Sequence, residues 1–224
     1  MPAGDSAWLI ELPERIDAEI NARAIELAAR IEASEVPGLS DIVVTYRTVM
    51  VYTDPLASGA ERVESILGGI AASAPAPRRP AGRSFELPVC YDGPFGPDLP
   101  DVASFARCGV DEVIARHLGR EYRVFMVGFV PGFAYMATVD PAIAAPRRPT
   151  PRVRVPAGSV AIAAGQTGVY PSETPGGWHI IGRTPVKPYD PDRAEPFLLR
   201  PGDRVRFRRI AEDEFDRRSA WGTR

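Results

Sequence analysis

The sequence predicts a small α+β domain, helices on one face of an antiparallel sheet, followed by a mainly-β domain built as an antiparallel barrel or sandwich. Three observations carry this. The first 80 residues alternate strand-like and helix-like periodicities in the order βαββα. SAPAPRRPAGRS, from Ser73 to Ser84, is proline-rich, basic and without apolar periodicity, the composition of a linker. From Tyr122 onward the chain breaks into short β-branched and aromatic runs cut by Gly and Pro, with no helical period between them. The expected domains are 1–80 and 81–224.

The elements follow in order. AWLIE (Ala7–Glu11) is a short apolar run suited to a strand. Asp17 to Ala33 reads as a helix, because Ile20, Ala24, Leu27, Ala28 and Ile31 recur at spacings of three and four. Pro37-Gly38 breaks it. DIVVTY and TVMVY, separated by Arg47-Thr48, are placed to pair as a hairpin, and a helix bearing Val63, Ile66, Leu67 and Ile70 closes the segment. After the linker, FELPVCYD reads as a strand. Pro100–Cys108 and Val110–Leu118 read as helices, each opening near an Asp placed to cap it or offset its dipole. The remaining β runs are YRVFMVGFV, RVRVPAGSVAIAA, WHIIGRT, PFLLR and DRVRFRRI. In the last, Arg204, Arg206 and Arg208 alternate with Val205 and Phe207, as on a strand with one solvated face. AEDEFDRR reads as a short surface helix.

Composition excludes several functions. A formal net charge of −2 is not the electrostatic footprint of a nucleic-acid binder. No apolar run approaches a membrane span and no basic-then-apolar leader opens the chain, so a cytoplasmic protein is expected. Cys90 and Cys108 form no CxxC, and with two histidines at these spacings they do not make a metal cluster. The sequence lacks a Walker-type phosphate loop, a GxGxxG, a GxSxG elbow and HExxH. Lys187, the only lysine, sits between prolines in TPVKP, a poor place for the base of a Ser–Lys amidase, and no Met-Lys-Met turn offers a biotin attachment site. The chain therefore either works with another chain or binds without catalysing.

Polar and aromatic side chains converge in three stretches. In VGFVPGFAYM (127–136), Phe129, Phe133 and Tyr135 have the even spacing that puts them on one face of an extended chain. In APRRPTPRVRVPAGS (145–159), Arg147, Arg148, Arg152 and Arg154 stand among prolines that stiffen the backbone behind them. A carboxylate or phosphate, or a subunit interface, suits such a cluster equally. GQTGVYPSETPGGWHIIG (165–182) presents Gln166, Thr167, Tyr170 and His179 between glycines that permit close backbone approach, with Trp178 as a packing anchor. His117, beside Val113 and Ile114 on a helix, reads as structural.

With these residues assembled, GFVPGFAYM, APRRPTPRVRVPAGSVAIAAGQTGVYPSETPGGWHIIGRTP and DPDRAEPFLLRPGDRVRF resemble the allophanate hydrolase subunit 1 / KipI family, the carboxyltransferase domain, subdomains C and D. The resemblance extends over nearly the whole chain. The family includes the B subunit of prokaryotic ATP-dependent 5-oxoprolinase, KipI-type inhibitors of a sporulation histidine kinase, and part of urea amidolyase. It implies a cyclophilin-like barrel as the second domain, a statement of fold and not of prolyl isomerase activity. It also implies a homologous second subunit, of the allophanate hydrolase subunit 2 type (the C-type subunit of 5-oxoprolinase). A third lactam-hydrolase subunit is implied too, with ATP as co-substrate, activating the lactam oxygen by phosphorylation. The implied function is ATP-dependent hydrolysis of 5-oxo-L-proline to glutamate, or of allophanate, with a regulatory kinase inhibitor as the alternative. The resemblance assigns no residue. Side-chain chemistry nominates His179, Gln166 and Tyr135 as catalytic, His179 as proton carrier and Gln166 as hydrogen bonder to an amide. It nominates Arg148, Arg152, Tyr170 and Thr167 as substrate- or anion-binding.

Overall fold

The computed structural model describes residues 1–15, 17–57, 59–73, 82–219 and 221. Two compact units make up the chain, Met1–Ala81 and Gly82–Arg224. Residues 74–81 of the expected linker lie outside the described residues.

In the first unit, strand β1 (Ala7–Glu11) is followed by helix α1 (Ala18–Glu32), strands β2 (Leu39–Val44) and β3 (Thr48–Thr53), and helix α2 (Ala60–Ala72). Asp17 starts α1: its carboxylate accepts from the N–H groups of Glu19 (2.8 Å) and Ile20 (3.2 Å), two of the donors that a helix start leaves orphaned. Those bonds favour the ionised carboxylate and hold its pKa below the ordinary value. The sheet is antiparallel in the order β1-β3-β2. One core joins Trp8, Leu27, Ile31, Val49, Val51 and Val63, so both helices bury their apolar stripe on the same sheet. The buried Asn21 of α1 donates to Thr45 O (3.0 Å), fastening the helix to the β2–β3 turn.

The second unit is built on a seven-stranded sheet. Its members are β4 (Ser84–Val89), β5 (Glu121–Val127), β6 (Ala134–Ala137), β8 (Ser159–Ala163), β9 (Gln166–Val169), β11 (His179–Arg183) and β12 (Arg204–Arg209), in the order β11-β8-β9-β6-β5-β12-β4. Beyond the end of β4, Cys90 exchanges both backbone hydrogen bonds with Arg183 of β11, each 2.8 Å, so the two edges meet and the sheet is nearly closed. This fits the cyclophilin-like barrel that the resemblance implies. It is not wholly antiparallel, as the sequence reading expected: β12 pairs β4 in parallel, because the chain returns to β4 from a distant part of the sequence and not through a hairpin.

Helices α3 (Leu99–Ala106) and α4 (Val110–Leu118) contribute Leu99, Val102, Val113 and Ile114 to the barrel core, which continues through Val160, Ile162, Ile181 and Val205. Two strands form a separate antiparallel ribbon, β7 (Arg152–Val155) with β10 (Thr174–Gly176). Helix α5 (Glu212–Arg218) buries Phe215 against Phe95. On β12, Val205 and Phe207 are buried. Arg204 and Arg206 meet Glu121 at 3.6 and 3.3 Å and Arg208 meets Glu86 at 3.1 Å, so the alternating arginines form a solvated face.

Three expectations need correction. PFLLR is not a strand: it carries a single bridge, Tyr189 to Phe197, and beyond it the Arg200 N–H turns to the Asp203 carboxylate (2.9 Å) and not to a neighbouring strand. YRVFMVGFV is strand only to Val127. Gly128–Phe133 is a turn in which Phe129 (φ 71°) and Gly132 (φ 84°) take left-handed conformations, so Phe129, Phe133 and Tyr135 do not lie along one extended face. Asp98, at the start of α3, makes no side-chain cap. Its carboxylate is used elsewhere.

Candidate functional site

The site is built on the outside of the barrel. Along β8 the side chains alternate: Val160 and Ile162 face the core, while Ala161 and Ala163 face out. These small outward residues, with Gly168 of β9, leave space above the sheet, and aromatic rings fill it. A Cβ on Gly168 would stand 2.9 Å from Phe133 Cζ. Phe133 is the centre of the cluster, edge-to-face with Phe129, Tyr135, Tyr170 and Trp178 at centroid distances of 5.8, 4.8, 5.1 and 5.4 Å. Gly176 of the ribbon lies so close to Tyr170 that a Cβ there would collide with the phenol oxygen. Gly168 and Gly176 of the 165–182 stretch therefore let backbone approach aromatic rings.

Between the cluster and the ribbon is a cleft of about 210 Å³, walled by these five rings together with Pro151, Pro175 and Gly176, and with Arg147 on its lining. Burial pushes the Tyr135 hydroxyl up, and it pushes Tyr170 up to about 12 against the lowering effect of a backbone hydrogen bond from Trp178. Both phenols are neutral near pH 7 and serve as hydrogen-bonding groups. No Ser, Cys, His, Asp, Glu or Lys is among the described lining residues. Its described lining offers apolar walls and two phenol hydroxyls, without a carboxylate, imidazole, thiol or amine.

Beside the cleft stands a charge network centred on Asp98, whose side chain is 2% exposed. Arg152 binds it bidentately (2.7 and 2.6 Å), Arg148 donates to it at 3.0 Å, and the Ile180 N–H at 2.7 Å. Hydrogen bonding to Asp98 raises the Arg152 pKa. Asp98, Asp101 and His179 bring oxygen and nitrogen atoms within 4.8 Å of one another. Asp98's lone pairs are nonetheless committed, and two guanidinium groups lie against it, which disfavours a cation there. His179 Nε2 donates to Pro146 O (3.0 Å), and the Arg148 N–H donates to Gly177 O (2.8 Å). Both neighbours of Arg147 are thus pinned to the 177–179 segment, Pro146 through the His179 side chain and Arg148 through the Gly177 carbonyl.

Of the seven nominated residues, Tyr135 and Tyr170 line the cleft. Arg148 and Arg152 are beside it with their charge turned to Asp98, and His179 holds the loop that carries Arg147. Gln166, half-buried, begins β9 opposite Ala137. Thr167 departs from the expected pocket: it faces the barrel interior, fully buried, donating to Ala161 O (3.1 Å) and accepting from His117 Nε2 (3.0 Å). Successive residues of a strand point to opposite faces, so Thr167 shares the interior side with Val169. His117 is buried as the sequence reading expected, with Tyr91 donating to its Nδ1 at 2.9 Å. Sequence reasoning did not single out Asp98, and it passed over Arg147 within the arginine cluster. No local pattern separates four arginines in a proline-rich stretch. What does separate them is which ones a distant carboxylate neutralises.

The chain matches the model of the carboxyltransferase domain, subdomain C and D, over residues 1–199. It belongs to that family. It is 41% identical to the B subunit of a 5-oxoprolinase of Bacillus subtilis, over 95% of this chain and 92% of the relative, and 40% identical to that of Escherichia coli, over 91% and 92%. Among solved structures, TTHA0988 is similar with a TM-score of 0.81 at 43% identity, over 91% of this chain. The chain spans 40% of the length of that structure. The Kluyveromyces lactis urea amidolyase gives a TM-score of 0.81 at 20% identity, over 96% of this chain and 15% of that one, a likeness of fold.

Proposed function

We propose that this carboxyltransferase-family chain is the B-type subunit of a heteromeric 5-oxoprolinase, a hydrolase opening the cyclic amide of 5-oxo-L-proline to L-glutamate. The observation that carries this is full-length similarity, at about two residues in five, to proteins named as the B subunit of 5-oxoprolinase, with over nine-tenths of each chain aligned. The geometry supports a division of labour. The cleft offers apolar walls, two neutral phenols and a guanidinium, and the groups that activate water or an amide are absent from its lining. Those groups come from a homologous second subunit and a third, lactam-hydrolase subunit.

This cleft does not fit ATP. A cleft of about 210 Å³ with a single unpaired guanidinium is small for a nucleotide and holds too little positive charge for a triphosphate. The nucleotide is therefore handled by another subunit. No observation favours the kinase-inhibitor alternative. The deciding experiment co-expresses the chain with its two companions and follows ATP-dependent release of glutamate from 5-oxo-L-proline. A complex that assembles but releases none rejects the proposal.

A further inference from the structure

Arg148 and Arg152, the two nominated anion binders, share the carboxylate of Asp98. Arg147 makes no ion pair among the described residues, is exposed, and lines the cleft close enough to bear electrostatically on both Tyr135 and Tyr170. Its backbone is clamped on both sides, by His179 through Pro146 O and by the Arg148 N–H on Gly177 O. An uncompensated, pre-positioned cation on an aromatic cleft has already met part of the ordering cost of binding an anion.

A second observation comes from the opposite wall. Phe129 has φ 71°, a left-handed conformation that costs a bulky residue energy, and the residue is 61% exposed. A strained backbone that holds a large apolar ring in solvent, edge-to-face with Phe133 and on the cleft lining, offers apolar surface to something that is not part of this unit. The cleft volume is below the roughly 300–1,000 Å³ of sites that enclose drug-sized ligands. From these we infer that the cleft binds a small, flat ring carrying one carboxylate, with Arg147 recognising the charge, Phe129 and Trp178 bracketing the ring, and the Tyr135 and Tyr170 hydroxyls placed to meet a ring amide. His179 is then a positioning residue that holds Arg147 in place.

The inference rests on the 5-oxoprolinase reading for the identity of the ring. Its test is calorimetric titration of the full chain with 5-oxo-L-proline and with 2-pyrrolidinone, the same lactam without the carboxylate. The acid binds about tenfold or more tightly than the neutral lactam. Arg147→Gln, at an exposed position, erases that preference, whereas Arg154→Gln, which removes an exposed partner of Glu173, leaves it intact. His179→Ala weakens the preference and His179→Gln, which retains a donor for Pro146 O, restores it. Equal binding of the two lactams, no binding by the wild-type chain, or a preference unchanged by Arg147→Gln overturns the inference. So does a result in which Phe129→Ala and Arg147→Gln weaken assembly with the second subunit and not ligand binding, since the cleft is then a docking socket. Turnover by the complete complex with no effect of Arg147→Gln on KM rejects the cleft and leaves the function standing. Carboxylate-selective binding with an inactive complex does the reverse.

Discussion

Asp98 accepts four hydrogen bonds from three residues distant in sequence, and two of its partners are guanidinium groups. Removing it strands positive charge that is about three-quarters buried. Asp98→Ala should therefore cost about 3 kcal/mol of folding stability, read from urea midpoints. Asp101→Ala, whose exposed carboxylate meets Arg148 at 3.3 Å, should stay within about 1 kcal/mol. Gly176 makes a different kind of demand, since any side chain there meets the Tyr170 phenol. Gly176→Ala should cost about 1–3 kcal/mol by overpacking and displace the ring from the cleft, detectable as a lower thermal midpoint together with weaker ligand binding.

Helix α4 inserts a histidine into the barrel, where it joins Tyr91, Thr167 and the ring of Phe207, stacked at 4.6 Å. Thr167 Oγ1 donates to Ala161 O, so His117 Nε2 carries the proton and Nδ1 accepts from Tyr91. Burial pushes the His117 pKa down to about 3. An unfolded histidine takes up a proton near pH 6.5, which the folded ring refuses until near pH 3. The unfolded state thus binds more protons in that window, and stability falls as pH falls through it, by up to about 4–5 kcal/mol. His117→Gln keeps one acceptor and one donor but does not titrate. Its urea midpoint should fall less than that of the wild type between about pH 6.5 and pH 4. Equal slopes for the two proteins would exclude His117 as the source.

The assembled activity should divide between chains. The chain alone should release no glutamate from 5-oxo-L-proline with ATP, and the three-subunit complex should. In that complex Arg147→Gln should raise KM about tenfold with little change in kcat, since the interaction it removes is made equally in ground and transition states. Steady-state kinetics on the purified complex checks both statements.

Much of the fold was legible because periodicity reports burial. The helix from Asp17, the hairpin around Arg47, the alternation on β12 and the helix holding His117 all follow from which side chains must leave water. The aromatic and glycine content of 127–136 and 165–182 likewise located the neighbourhood of the cleft, and Tyr135, Tyr170 and Trp178 were named from it. Legibility ended where one residue's role depends on another far away in the chain. The parallel β4–β12 pair, the closure through Cys90 and Arg183, and the inward side of Thr167 are matters of register and topology, to which local pattern is blind. The arginines make the same point in charge. Composition puts Arg147, Arg148 and Arg152 side by side as equals, but Asp98, some fifty residues away, neutralises two of them and leaves the third facing the cleft. An ion pair is a distance in space, and folding sets that distance.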